Sequence, residues 1–375
     1  MTNYRPTWAE INLGAIKYNL NQIKKMVSPR IEIMPVVKAN AYGHGISQVS
    51  KVFVENGIKS LGVATIDEAI KLREDGIGDN VSILVLGNML EEEARVAIEN
   101  NITLTLCDNV LFETIVKIAK ILNKKPRVHV MVDTGMGRIG VWHEKAYEFI
   151  KEVHKNKYVE LEGVYTHFAS AARDTTYTKF QIDSFEKVIF KLKEKGIKPK
   201  YRHAANSIAT VDWDVHNMNL VRPGILLYGI YPKKEFKKVI KLKAVMSLKT
   251  KIVFLKDIPS GRSISYGRTF MSQKPTKIAT IPIGYADGYG RILSNRAEAL
   301  LNGELVHVAG IVTMDQTLLD VGDVKNVKVG DEVVLFGSQK EAIISIEKIS
   351  RLAKTIPYEI LAGITNRVPR TYVEK

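Results

Sequence analysis

The feature that most constrains this chain is a rhythm in its first 240 residues. Short apolar, β-branched runs recur at IEIMPVVK (31–38), LGVA (61–64), SILVL (82–86), TLTL (103–106), VHVMVD (128–133), LEGVYTH (161–167), YRHAA (201–205) and GILLYG (224–229). Between them lie amphipathic segments of helical period. Thr65 stands three residues before Glu68 as a capping box, and Gly76 closes the same segment. Runs that are apolar on both faces fit parallel strands covered by helices. Eight strand–helix units predict an α/β fold, a (β/α)8 TIM-type barrel. Periodicity does not show closure, so a doubly wound open sheet is the competing architecture.

Beyond about residue 240 the grammar changes. SLKTKIVFLKDI, SISYGRTF, TKIATIPIGYADGYG, GELVHVAGIVTMD and EVVLFG are strand-like runs broken by Gly, Pro and Asp turns, and only ISIEKISRLAK reads as a long helix. The expected division is residues 1–240 as the barrel, with the first ten or so packing on the other domain, and 241–375 as a mostly β domain.

The formal net charge of +15 raises the question of nucleic acid. The lysines, however, are dispersed over amphipathic helices such as FEKVIFKLKEKG (185–196), without interleaved aromatic platforms. A small anionic substrate is the better partner, with neither nucleic acid nor membrane expected. The single cysteine, Cys107, allows no intrachain disulfide, and MTNYRPTWAE has no apolar core of a secretory signal. Both point to the cytoplasm.

Barrel enzymes carry their chemistry at the C-terminal ends of strands. Lys38 ends the first run, Asp133 the fifth and His167 the sixth; Asn206 and Ser207 follow the seventh, and Arg222 and Gly224 open the eighth. An amine in apolar surroundings deprotonates more easily and can condense with a carbonyl, although a lysine at such a place is also an ordinary snorkelling side chain. HAANS (203–207) and RPG (222–224) lie where barrels bind phosphate, though each alone would pass for turn chemistry. GMGRIG (135–140) is a literal G-x-G-x-x-G, and Glu160 or Glu162 falls where a ribose-binding acid would stand. A hydride-transfer enzyme is therefore a second reading, weakened by the motif's position after four strand–helix units. The histidines show no metal-ligand spacing, so no metal is expected.

These pieces together resemble alanine racemase, a fold-type III pyridoxal 5′-phosphate (PLP) enzyme. The resemblance rests on TWAEINLGAIKYNL (7–20), PVVKANAYGHG (35–45), VDTGMGRIG (132–140), GVYTHFASA (163–171), NSIAT (206–210), VRPGILLYG (221–229), SYGRTF (265–270), IPIGYADGYGR (281–291), GIVTMDQTLLDV (310–321) and IPYEI (356–360). It implies that Lys38 holds PLP covalently and serves as one base, for D-alanine. Tyr266 is then the base on the opposite face, reaching the site from the partner subunit of a homodimer. Tyr42, Ser207, Gly224, Ile225 and Tyr358 hold the phosphate, and Asn206 is a further cofactor-binding residue. Arg138 and the Met314 N–H bind the substrate carboxylate, while Arg222, backed by His167, faces the pyridine nitrogen. The implied product is D-alanine for peptidoglycan. A serine or broad-specificity racemase is the nearest alternative, and a PLP carrier without catalysis a more distant one. The chain departs from the family at Met131, where many members carry a carbamylated lysine, and at Thr313 and Ala172.

Overall fold

A computed structural model describes residues 4–213 and 217–374. It divides into two compact units: Ile16–Ala41 with Ile46–Lys243, and the residues up to Ala15 with Tyr42–Gly45 and everything from Ala244 onward.

The first unit is built on eight parallel strands: β2 (Glu32–Ile33), β3 (Ser60–Val63), β4 (Ser82–Val85), β5 (Leu104–Leu106), β6 (Arg127–Asp133), β7 (Glu160–Tyr165), β8 (Tyr201–His203) and β9 (Leu220–Val221). β5 to β9 and β2 pair in continuous order, β3 pairs β4, and bridges Leu84–Thr103 and Val36–Gly62 join the two sets. The ring closes, which removes every sheet edge and excludes the open-sheet alternative. β3, β4 and β5 are buried at every residue, as strands sandwiched between a filled interior and covering helices must be.

The first and last barrel strands fall short of their expected extents for one reason. Pro35 has no N–H, so the regular ladder of IEIMPVVK stops after Ile33. Met34, Val36 and Val37 continue it only as single bonds to Val221, Pro223 and Gly62. Pro223 likewise interrupts the eighth run: the strand is Leu220–Val221, while Gly224–Gly229 winds into turns through Leu227 N–H to Gly224 O and Tyr228 N–H to Ile225 O. Arg222 therefore follows its strand rather than opening it. That sets it on the same rim as Lys38.

The helix over Ile66–Glu74 starts as expected, with the Thr65 side chain accepting from the Glu68 N–H. Glu68, however, does not turn back to Thr65. Its carboxylate accepts from the N–H groups of Ala64 (2.8 Å) and Ala39 (2.5 Å), the residue after Lys38.

The second unit is mostly β. The N-terminal strand β1 (Thr7–Asn12) pairs antiparallel with Met246–Lys251 and parallel with Arg370–Val373, which explains why TWAEIN alternates buried and half-buried. Phe254–Ile258, Thr276–Ile281, Thr317–Asp320, Glu304–Val308, Glu298–Leu301 and Glu332–Gln339 complete the sheet in that spatial order. Asp287 is fully buried and is met by the Arg5 guanidinium through two hydrogen bonds, 2.5 and 2.7 Å, which ties the first described residues to the GYADGYG segment. No helix among the described residues is long and apolar enough to cross a membrane.

Candidate active site

Immediately after Val37 the backbone does something L-residues rarely do. Ala39, Asn40, Ala41 and Tyr42 all have φ between 52° and 54°, a full left-handed turn. Each such residue costs about 1–2 kcal/mol relative to the right-handed form, so the surroundings must hold the turn in place. On one side the Glu68 carboxylate accepts the Ala39 N–H, and Asn40 Oδ1 accepts the Ile46 N–H at 2.8 Å. On the other, Gly43 packs so tightly that a Cβ there would lie 2.1 Å from Leu361 O. The Gly43 carbonyl also accepts from Arg370 Nε at 2.9 Å.

Lys38 is thus presented from a rigid knuckle and is half-buried. Burial, then the Arg138 guanidinium, hold its ammonium below the usual lysine range, while Glu68 opposes them. His167 shares this field: burial, Arg222, Arg138 and Lys38 push its imidazole down to about 3, so it is neutral.

Arg138 lies in the loop after β6. Asp133 fills that loop's ring of amides, accepting from the Gly135 N–H at 2.8 Å and the Gly137 N–H at 3.0 and 3.1 Å. The G-x-G-x-x-G amides therefore already hold a carboxylate of the chain, and the next helix begins only at His143. This disposes of the dinucleotide reading; of its two candidate ribose acids, Glu162 is buried and Glu160 is the exposed first residue of β7, at the opposite end of the strand from this rim. Tyr177 Oη clamps the same loop by donating to Gly135 O at 2.8 Å. The Arg138 guanidinium is exposed and makes no hydrogen bond or ion pair among the described residues. Met131 offers it nothing polar, being packed among Cys107, Tyr165, Leu86 and Ile139.

Arg222 is 3% exposed, and burial lowers it to about 10, leaving it cationic at neutral pH. No carboxylate pairs with it among the described residues. Its Nη1 donates to His203 Nδ1 at 2.6 Å and its Nη2 to Thr166 O at 2.8 Å and Ala204 O at 3.1 Å. The Tyr165 ring lies beneath it, stacked on His203. The histidine behind Arg222 is therefore His203, not His167, whose ring forms no hydrogen bond among the described residues. The reason is strand direction: His203 ends β8, beside β9, whereas His167 lies past the end of β7.

Asn206 caps the short helix Ser207–Asp212 by accepting from the N–H groups of Ile208 and Ala209, so its amide oxygen serves the backbone. Ser207 Oγ accepts from the Gly224 N–H at 2.8 Å. The Ser207 hydroxyl proton and the Ile225 N–H find no acceptor among the described residues, although both residues are buried.

In the second unit, Tyr42 and Tyr358 face each other with ring centroids 6.0 Å apart, and burial raises Tyr358 to about 12. Tyr266 sits at the tip of a small hairpin whose strands are Ser263–Ile264 and Phe270–Met271. Ser265 Oγ anchors that tip by donating to Ile311 O, and the Tyr266 ring is 70% exposed. Met314 lies in the turn closed by Thr313 N–H to Gln316 O, and its own N–H donates to nothing among the described residues. No cluster of three metal-ligating side chains occurs among the described residues.

This donor set suits PLP. A covalent anchor needs an amine kept easily neutral, and Lys38 is held that way. The phosphate needs unmet buried donors, which Ser207 and Ile225 supply. A ring nitrogen needs a fixed N–H, and Arg222 uses three of a guanidinium's five. Glu68 and His203 were missed by sequence reasoning; HAANS contained His203, but nothing in its spacing sets it apart.

Comparison with known proteins agrees. The model of the alanine racemase N-terminal domain matches residues 11–232 and that of the C-terminal domain residues 245–372. Alanine racemase 2 of Caldanaerobacter subterraneus is 44% identical over 98% of this chain and 95% of its own. The alanine racemase of Methanococcus maripaludis is 45% identical over 98% and 99%. Among solved structures, alanine racemase of Clostridium difficile superposes with a TM-score of 0.93 at 40% identity, covering 98% of this chain and 96% of that one. The Bacillus anthracis enzyme with bound L-Ala-P gives 0.92 at 38% identity, covering 100% and 96%. With both domain models matched and relatives this similar along their whole length, the chain belongs to the alanine racemase family.

Proposed function

We propose that this protein is a PLP-dependent racemase that interconverts L- and D-alanine by proton transfer at Cα between two bases, Lys38 and Tyr266. In the cytoplasm its D-alanine would serve peptidoglycan. Removing a Cα proton is hard: even a modest enzymatic acceleration of about 10⁶-fold asks for roughly 8 kcal/mol, whereas one positioned acid or base gives about 10²–10⁴-fold. PLP, when bound, supplies the electron sink that closes this gap. Lys38 would hold it, with Ser207, Gly224, Ile225, Tyr42 and Tyr358 at the phosphate and Arg222 at the ring nitrogen.

The chain's own residues then divide the work. Arg138 and the Met314 N–H grip the substrate carboxylate. The Lys38 amine takes or returns the proton on one face of Cα, and Tyr266 of a second copy does so on the other. One fixed base would return each proton to the face it left. Arg222 would donate a hydrogen bond to the ring nitrogen without surrendering its proton, which would leave that nitrogen neutral and favour reprotonation at Cα. We also propose that residues 1–240, apart from the N-terminal segment grouped with the second unit, form the cofactor-binding domain and 241–375 the one that delivers the second base, in a homodimer with shared sites.

The observation that carries this reading is Arg222. Among the described residues, this buried guanidinium has no carboxylate partner and keeps two N–H groups free on the rim that bears Lys38. The test is exchange of Cα hydrogen for solvent deuterium over L- and D-alanine, serine and lysine, followed by NMR. Exchange concentrated on both enantiomers of alanine is expected; equal rates for serine or lysine contradict the narrow specificity.

A further inference from the structure

Inside the barrel, His129 of β6, Glu162 of β7 and His203 of β8 form one line with Arg222. Arg222 Nη1 meets His203 Nδ1 at 2.6 Å; His203 Nε2 meets His129 Nδ1 at 2.8 Å; His129 Nε2 meets Glu162 Oε2 at 3.2 Å. His129, His203 and Glu162 are 1%, 0% and 4% exposed. Glu162 in turn faces Lys200 Nζ (3.7 Å) and Arg127 Nη1 (3.9 Å), toward the N-terminal ends of the strands. We infer that Glu162 is a positioning residue for Arg222, acting from the far end of the barrel through His129 and His203.

The direction of the line follows from its ends. A guanidinium can only donate, so His203 Nδ1 must accept. Its proton is then on Nε2, which donates to His129 Nδ1. The His129 proton is likewise on Nε2 and donates to Glu162. One tautomer of each ring satisfies the whole line, and a carboxylate, which can only accept, locks that choice. Without it His129 could turn its proton toward His203. His203 would then carry a proton on Nδ1, pointing at the guanidinium, and two donors would face each other. Arg222 would be displaced from the geometry in which its free N–H groups meet the ring nitrogen.

The backbone is shaped for this line. The pairing of β6 with β7 slips between Val128 and His129, the kind of irregularity that re-aims a side chain. Opposite His129 stands Gly163, which is not in the left-handed region; a Cβ there would lie 2.4 Å from His129 Nδ1. The glycine is there to leave room for the imidazole. Burial holds both rings below the usual histidine range, which keeps them neutral.

This inference rests on the racemase reading, yet its first test does not need turnover. In ¹⁵N-histidine-labelled protein, two-bond ¹H–¹⁵N correlations should show His129 and His203 neutral and protonated on Nε2. A cationic ring or a His203 protonated on Nδ1 would overturn the inference while leaving the racemase assignment intact. In the holoenzyme, Glu162→Leu and His129→Leu should lower kcat about 10-fold with KM for alanine unchanged, and should shift the His203 signals. Glu162→Gln, whose amide oxygen still accepts, should recover most of that loss. Leucine variants that lose thermal stability yet keep wild-type kcat and His203 tautomer would reduce the line to packing and refute the proposal. If they do not fold, the wild-type tautomers and Glu162→Gln decide: a glutamine variant that loses about 10-fold in kcat would also refute it.

Discussion

At the scale of single residues, the amine of Lys38 is governed by two neighbours of opposite charge. Arg138 disfavours the ammonium and Glu68 favours it. Replacing Glu68 with Gln should therefore lower the Lys38 pKa further, and replacing Arg138 with Leu should raise it. In cofactor-free protein, the pH at which Lys38 becomes half-reactive toward an acylating reagent, read by peptide mass spectrometry, should move down for the first variant and up for the second. A midpoint that stays put or moves the other way would show that these charges do not set the amine's state. Lys38 drew attention in the sequence because an amine at the end of an apolar run is unusual, but position alone suited a snorkelling side chain equally well, and only the family resemblance gave it a role. Glu68 was not legible: three residues after Thr65 it reads as half of a capping box. Only the fold reveals that its carboxylate spans to Ala64 and Ala39. The line from Glu162 to Arg222 was hidden for a similar reason, since its members stand 33, 74 and 19 positions apart.

At the scale of elements, the turn after Lys38 is the one run of consecutive positive-φ non-glycine residues among those described. The sequence KANAY carries no sign of it, because alanine and tyrosine have no preference for positive φ. The signs lie outside it, in Gly43 and Gly45, which sit at φ +82° and +97° against Leu361 and Tyr372. Gly43→Ala should thus cost at least about 2 kcal/mol, from a clash with backbone added to an unfavourable φ. Urea unfolding measures it, and wild-type stability in that variant would mean the turn is not clamped as described. The strand pattern of the barrel was legible because burial on both faces leaves a strong apolar signal. Its ends were less so: Pro35 and Pro223 shorten two strands, and GILLYG is apolar because its turns are buried, not because it is a strand. Closure of the ring was out of reach of any local pattern.

At the scale of the molecule, the proposed homodimer makes each site depend on both chains, since a base exposed on a hairpin tip serves a neighbour. A mixture of Lys38→Ala and Tyr266→Phe proteins, denatured together and refolded, should then recover activity that neither has alone. With random pairing, about half the dimers are mixed and each holds one intact site, so recovery should approach about one quarter of wild type. No recovery, with mixed dimers verified by mass spectrometry, would mean that both bases come from one chain. Net charge and composition narrowed the partners without naming them; the change of grammar near residue 240 showed that a second unit exists but not that it takes back Tyr42–Gly45.

In the proposed function everything depends on Lys38 as the residue that binds the cofactor covalently. Borohydride reduction of the PLP-loaded protein, followed by tryptic mapping, tests it directly. The pyridoxyl label should fall on the peptide containing Lys38 and vanish in Lys38→Ala. A label on any other lysine, or a protein that takes up no PLP, would contradict it.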